Sequence, residues 1–375
     1  MAEPVWFWQR IVSPHMAGLA AALAATGRDV TYVAEQAMSP ERAAQGWSPP
    51  DLGTAQLRLA PTADAATALV RAAPSQSIHI CQGFRANGVV GAAQLALAEQ
   101  GLRYWVIMET VDDRGWRRLF KRLEYRRLIW QWRSKLAGIL AIGDATSAWL
   151  IDRGIPAAKV FPFAYFLRNA SMNTAGRPSG GGDFQFLFVG RLIELKRLDL
   201  LLEALSRLIG ERFTLSVVGA GPLEASLRSL SDRRLPGQVD WLGARPIDEI
   251  PALMAQADCL VLPSSYDGWG AVVSEALMVG TPVICSDAVG AAGVVRASDR
   301  GGVFPADDAG ELADLLRLAL SEGRQTEDER AGLAKWSRRI GAYAGACYLD
   351  AILSYATGNE KRPIPPWLDV PQAGA

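Results

Sequence analysis

Residues 259–277 read CLVLPSSYDGWGAVVSEAL. The run Cys259–Leu262 is too short for a helix and has no polar alternation, which predicts a strand buried on both faces. Pro263, two serines and the loop Gly268–Gly270 end it. Val273, Ala276 and Leu277 then recur at helical spacing. A buried strand that feeds a helix through a glycine loop is the repeating unit of a parallel sheet covered by helices. The same unit recurs on both sides. Strands are expected at Phe184–Val189, Thr214–Val218, Val239–Leu242 and Pro282–Cys285, with helices at 198–209, 223–230, 247–256 and 271–279.

The first half repeats the pattern with Val5–Trp8, Asp29–Ala34, Ile78–Cys81, Tyr104–Met108 and Ala137–Ile142. Ser13-Pro14 opens a helix there, Ser as N-cap and Pro at the first helical position, and Val89–Glu99 is another. Between the halves, NTAGRPSGGGD (173–183) reads as a flexible connector. The expected fold is α/β, with two Rossmann-like doubly wound domains facing each other across a cleft. They cover 1–172 and 184–335, and 336–375 forms a helix and proline-rich tail crossing back to the first domain.

A length of 375 residues suits two domains of about 150 each. Lys+Arg and Asp+Glu both number 39, which argues against a nucleic-acid binder relying on overall positive charge. Cys81, Cys259, Cys285 and Cys347 form no CxxC pair, so neither a disulfide framework nor a zinc site is expected. No Asp-x-Asp triplet is present, and the expectation is that no metal or cofactor is used. The N-terminus MAEPVWFWQR has no basic leader, and no apolar run reaches the ~18 residues of a membrane span. The expected location is cytoplasmic, peripheral on the inner face of the membrane.

Three constellations can carry chemistry. In the first, a strand ends in Gly190-Arg191 and Lys196 follows before a helix. Glycine lets backbone approach a ligand, arginine offers a fork to phosphate oxygens, and lysine a mobile charge. Alone, such a pair is equally a surface ion pair. The second is VGAGPLE (218–224), which lacks the third glycine of a dinucleotide fingerprint and by itself is a tight strand–helix turn. The third is the opening stretch, where Asp267 on the loop and Glu275 one turn into the helix flank a run of backbone amides. Carboxylates accept hydroxyl hydrogen bonds and amides hold phosphate, which suits a sugar–diphosphate–ribose ligand.

In order and spacing, FLFVGRLIELK, VVGAGP, VDWLGA, ADCLVLPSSYDGWGAVVSEAL and GTPVICSD resemble the retaining GT-B glycosyltransferases of family 4. The likeness is strong over 184–290 and looser over 1–170. It implies a transferase that moves a sugar from a nucleotide-diphosphate donor, a UDP- or GDP-sugar. The acceptor is a saccharide or lipid-linked saccharide in bacterial surface polysaccharide or glycolipid synthesis. It implies that Arg191 and Lys196 grip the diphosphate and that Glu275 holds the ribose. Asp267 stands near the donor sugar where the family usually has Glu. Gly190, Gly219, Gly268, Trp269, Gly270, Ala271 and Val272 border the donor, and the loop 243–249 lies near the base. Where many relatives have His after the Tyr104–Met108 strand, this chain has Glu109, which could orient sugar or acceptor or be a surface carboxylate. His15 is a candidate for acceptor or phosphate contact, or a helix-start residue. His79 is a loop candidate or a satisfied core histidine. A GT-B-like epimerase and a non-catalytic nucleotide-sugar-binding module are the rival readings.

Residues 114–135, RGWRRLFKRLEYRRLIWQWRSK, carry nine basic residues against one acid, Glu124. At helical spacing Trp116, Leu119, Phe120, Leu123 and Trp130 form one stripe, expected to face the sheet. Tyr125, Ile129 and Trp132 fall among Arg114, Arg118 and Arg122. That mixture suits an anionic membrane surface or a lipid-linked acceptor.

Overall fold

The computed structural model describes residues 3–38, 49–85, 87–112, 118–168, 182–208, 210–358 and 361–369. The chain divides into two compact units, Met1–Arg168 with Ile340–Ala375, and Asn169–Arg339. Of the expected linker, only Gly182 and Asp183 lie within the described residues.

In the first unit the order is β1 (Val5–Ile11), α1 (Pro14–Ala25), β2 (Val30–Gln36), β3 (Gln56–Leu59), α2 (Ala63–Ala72), β4 (Ile78–Gln82), α3 (Gly88–Glu99), β5 (Tyr104–Glu109), α4 (Arg118–Trp132), β6 (Leu136–Ile142), α5 (Thr146–Ile151) and β7 (Val160–Phe163). The strands form one parallel sheet in the order β3-β2-β1-β4-β5-β6-β7. Central β1 is buried from Val5 to Gln9, as a strand covered on both faces must be. Ser13 occupies the N-cap position of α1 without a side-chain capping bond, and Pro14 opens the helix. The edge strand β3 escapes the sequence pattern because all four of its residues are exposed, so no apolar run marks it.

Helix α4 overturns an expectation. Tyr125, Ile129 and Trp132 are buried in the core, with Tyr125 edge-on to Trp149 at 5.2 Å. Their spacing of four and three residues puts them on one helix face. Of the stripe assigned to the sheet, Trp116 lies outside the described residues, and Leu119, Phe120, Leu123 and Trp130 point to solvent instead, between 65% and 71% exposed. Two apolar stripes coexist on this helix. The one with the aromatic that fits against Trp149 is seated, although the other holds more apolar side chains. Trp132 is thus a core residue and not a membrane contact. Arg122 is exposed, Arg114 lies outside the described residues, and of Arg118 only the backbone is described.

The second unit runs β8 (Phe184–Val189), α6 (Leu198–Leu205), β9 (Phe213–Val218), α7 (Glu224–Arg234), β10 (Val239–Gly243), α8 (Ile250–Gln256), β11 (Cys259–Leu262), α9 (Ala271–Met278), β12 (Val283–Ser286), α10 (Ala292–Ser298), β13 (Gly301–Phe304), α11 (Ala309–Glu322) and α12 (Glu327–Trp336). Its parallel sheet has the order β10-β9-β8-β11-β12-β13. Phe186, Phe188, Leu215 and Val261 centre the core. A capping box of Thr326 and Glu329 starts α12. The chain then rejoins the first unit as α13 (Ala342–Ala356), packed on α1. In the tail, Trp367 packs on Phe166 and Tyr348, and Arg362 donates to the carbonyls of Ala158 and Val160.

Both sheets wind outward from their first strand in two directions. In such a sheet a crevice opens beyond the carboxyl ends of the strands at the point of reversal. Those points are β1/β4 in the first unit and β8/β11 in the second.

Candidate functional site

At β8/β11 the site is built on backbone. Past the end of β8, Gly190 N–H donates to Val218 O and Leu192 N–H to Ala220 O, so the exits of β8 and β9 keep pairing. The approach demands glycine. A Cβ on Gly219, whose φ is 140°, would lie 1.9 Å from Gly190 O, and one on Gly221 would lie 2.4 Å from Leu192 O. Gly219 N–H donates to Gly243 O at 2.9 Å. The VGAGP turn is therefore explained by chain packing, and Gly219 has its N–H committed within the protein rather than toward a donor.

Lys196 ends a single 3-10 turn, Glu194–Lys196. Arg197 follows in the left-handed region at φ 49°, held there by Asp199 and Asp307. Beside it, Ser265 N–H donates to Leu195 O at 2.9 Å, tying the β11 exit to this turn. The Lys196 ammonium donates to the Asp267 carboxylate, and both side chains are largely shielded from water. Arg191 is exposed.

The loop Asp267–Gly270 is fixed from behind. Asp267 N–H donates to Ala288 O, Gly290 N–H to Asp267 O and Ala291 N–H to Trp269 O. Trp269 is buried, and its indole N–H donates to Ser274 Oγ at 3.1 Å. Its ring thus anchors the loop to α9 and does not face a ligand. Gly270, at φ 84°, stands at the N-cap of α9, where Ala271 and Val272 begin the helix with no acid in the first turn. Their N–H groups belong to the set that a helix leaves without an internal partner, and the helix dipole adds positive charge there. Glu275 lies one turn on, and burial pushes its carboxyl up to about 7. The crevice so offers amides and Lys196 to an anion, and Asp267 and Glu275 to hydroxyls.

At β1/β4 in the first unit there is a pocket of about 310 Å³, lined among others by Gln9, Arg10, Gln82, Glu109 and Tyr165. Glu109 is the last residue of β5, and Tyr165 follows β7 by two residues. The Tyr165 hydroxyl donates to Glu109 Oε1 at 2.5 Å. The His15 ring stacks on Tyr165, centroids 4.8 Å apart. Two of the expected first-unit candidates, His15 and Glu109, are thus joined through a residue not singled out from the sequence. Gln9 was also missed. It is 2% exposed, and its Nε2 makes no hydrogen bond within the described residues. The available signal was position, since polar residues at the carboxyl ends of apolar strands face the crevice. His79 is elsewhere, a core residue accepting from the Trp8 indole at 3.1 Å, and burial pushes its pKa down to about 4.

Among the described residues no group of three or more His, Cys, Asp or Glu could hold a metal ion. None of their helices is long and apolar enough to cross a membrane.

Residues 174–336 match the family model of glycosyl transferases group 1. That span is nearly the whole second unit. The amylovoran biosynthesis glycosyltransferase AmsK of Erwinia amylovora is 31% identical over 183 residues, which are 46% of this chain and 45% of that protein. The putative colanic acid biosynthesis glycosyltransferase WcaL of Escherichia coli is 33% identical over 209 residues, 53% of this chain and 51% of WcaL. The chain thus spans about half the length of the curated relatives it matches. In fold the likeness extends further. Anabaena HepE, solved in complex with UDP, superposes with a TM-score of 0.71 over 94% of this chain and all of HepE, at 16% identity. The fold is the GT-B architecture of two Rossmann-like units.

Proposed function

We propose that the protein is a retaining, metal-independent glycosyltransferase that takes a sugar from a UDP- or GDP-sugar. Its acceptor is a saccharide or lipid-linked saccharide in surface polysaccharide or glycolipid synthesis, used at the cytoplasmic membrane. The observation that carries this reading is the Lys196–Asp267 ion pair at the β8/β11 switch point, beside the amide end of α9. A diphosphate arriving there exchanges the Asp267 carboxylate for its own oxygens on Lys196, and Arg191 closes on it from solvent. Asp267 is released to accept hydrogen bonds from the donor sugar, and Glu275 accepts them from the ribose. As the glycosidic C–O bond breaks, charge grows on the leaving phosphate and is met by Lys196, Arg191 and the helix amides. The sugar gains oxocarbenium character. The leaving phosphate oxygen then takes the proton of the acceptor hydroxyl, which attacks from the same face. Glu109, held by Tyr165, orients the acceptor in the first unit.

The relatives' names support the polysaccharide context, since AmsK and WcaL are named for amylovoran and colanic acid synthesis. The test is transfer from UDP- and GDP-sugars to a lipid-linked saccharide in the presence of a chelator, with NMR of the product. Retained anomeric configuration and chelator-resistant turnover are expected. An inverted product, or loss of turnover on chelation, would overturn the corresponding half of the reading.

A further inference from the structure

Helix α4 is seated by Tyr125, Ile129 and Trp132, and everything on its other side faces solvent. Leu119, Leu123 and Trp130 fall within about 40° of one another on a helical wheel and form one ridge, with Phe120 beside it. All four are at least 65% exposed. Soluble surfaces seldom gather so many large apolar side chains on one helix face. Exposed arginines border the ridge, with Arg122, Arg126 and Arg133 on one side and Arg127 on the other. The acid on the helix, Glu124, lies 3.9 Å from Arg85.

We infer that this outer face is an interfacial docking surface for an anionic lipid bilayer. A leucine–phenylalanine–tryptophan ridge enters the acyl boundary, and the flanking guanidinium groups reach back to phosphate headgroups. Charge complementarity selects this occupant. A hydrophobic protein groove would cover the ridge and set Arg126 and Arg133 on one flank and Arg127 on the other against apolar surface, whereas a headgroup layer supplies anions on both sides. The helix lies flat, because its ridge from Leu119 to Trp130 runs ~16 Å along the axis. The inference shares the membrane setting with the proposed function but rests on neither its donor chemistry nor its catalytic residues.

The experiment is sedimentation of the full chain with vesicles of phosphatidylcholine alone or with phosphatidylserine, at low and physiological salt. Two variants accompany wild type. One carries Leu119→Ser, Leu123→Ser and Trp130→Ser. The other carries Arg122→Gln, Arg126→Gln, Arg127→Gln and Arg133→Gln. All these side chains face solvent, so both variants should keep the wild-type melting temperature. The apolar variant should lose at least ~10-fold in partition onto anionic vesicles, because burying even one leucine is worth about that factor. The arginine variant should lose the preference for phosphatidylserine. Brominated acyl chains should quench wild-type fluorescence more than that of Trp130→Phe. Equal sedimentation of wild type and the apolar variant would overturn the inference. So would lipid-free self-association of the wild type that the apolar substitutions abolish, which would assign the ridge to a second copy. Hydrolysis of a nucleotide sugar by water should be the same in all three proteins. Vesicle binding with no such hydrolysis in any of them would overturn the transferase reading and leave the docking surface standing.

Discussion

In the second unit, the loops that leave the switch point are tied by charge and by backbone. Lys196 meets Asp267, Ser265 bonds to Leu195, and Gly219 lies against Gly190. In the first unit, the corresponding region is joined by an aromatic stack and one hydroxyl–carboxylate bond, His15 on Tyr165 and Tyr165 on Glu109. The topology is shared and the chemistry is not. A crevice of paired charges and helix-end amides suits a ligand whose charge is fixed, as a diphosphate's is. A pocket lined by glutamine amides, a phenol, one carboxylate and the guanidinium groups of Arg10 and Arg85 is more mixed, and suits a ligand read largely by its hydroxyls. The family model covers the second unit and does not extend into the first.

The largest expected effect breaks the charged side of this comparison. Lys196→Ala leaves the Asp267 carboxylate shielded from water and without its cation, facing an incoming diphosphate. Turnover should fall by ~10²-fold or more, the loss seen when a charge-stabilising donor is removed from a transition state. Steady-state kinetics with a nucleotide sugar checks it. Unchanged turnover would show that the pair is only a structural clasp.

This asymmetry also governs what was legible from sequence. The second-unit crevice is built from contiguous stretches, so Gly190–Lys196, Val218–Glu224 and Asp267–Glu275 could be found as strings. Two details within them could not. Trp269 turns inward to Ser274, and Gly219 serves the packing of two loops, because both outcomes depend on neighbours far along the chain. The first-unit pocket draws Gln9, His15, Glu109 and Tyr165 from four separate elements. No spacing links them, and Tyr165 became visible only when β7 was placed beside β6. Helix α4 carried two stripes of comparable apolarity, and periodicity alone could not choose between them. The choice belongs to Trp149, which lies in another helix. The edge strand β3 was silent because all its residues are exposed, and β13 because it opens with two glycines and buries only Phe304.

A smaller effect tests the first-unit side. Tyr165→Phe removes one hydrogen bond to a carboxylate, which is worth about 1.5–3 kcal/mol when a charged partner is involved. Transfer to the acceptor should fall by ~10-fold or more, and nucleotide-sugar affinity should stay at the wild-type value. Isothermal titration with the donor, beside transfer kinetics, separates the two. If donor affinity falls as much as transfer, the first-unit pocket is not an acceptor site and the contrast between the crevices collapses.

The smallest effect sharpens the contrast through pH. Burial holds the Glu275 carboxyl at about 7 in the free protein, against 4.5 for an ordinary glutamate. Ribose hydroxyls donate, and the ionised carboxylate accepts from them more strongly, at both oxygens, than the protonated form. A nucleotide-diphosphate sugar loses no proton from its phosphates near neutrality, so the pH dependence of its affinity reports on the protein. Between pH 6.5 and 8 the ionised fraction of a group at this pKa rises about fourfold, and the affinity should rise by up to that factor. Glu275→Gln should bind more weakly and with no such rise. Stability should move the other way. The folded state keeps a proton that the unfolded chain releases, so stability falls as pH climbs from about 4.5 to about 7 and is level above. Without donor, Glu275→Gln should therefore melt higher than wild type at pH 8. At pH 4 the two should be close, because the wild-type carboxyl is then protonated in the folded state. A residue that weakens the empty protein at the pH where it strengthens binding is one kept for its ligand. A flat affinity profile for wild type from pH 6.5 to 8 would remove Glu275 from the ribose site and leave its burial as a matter of packing alone.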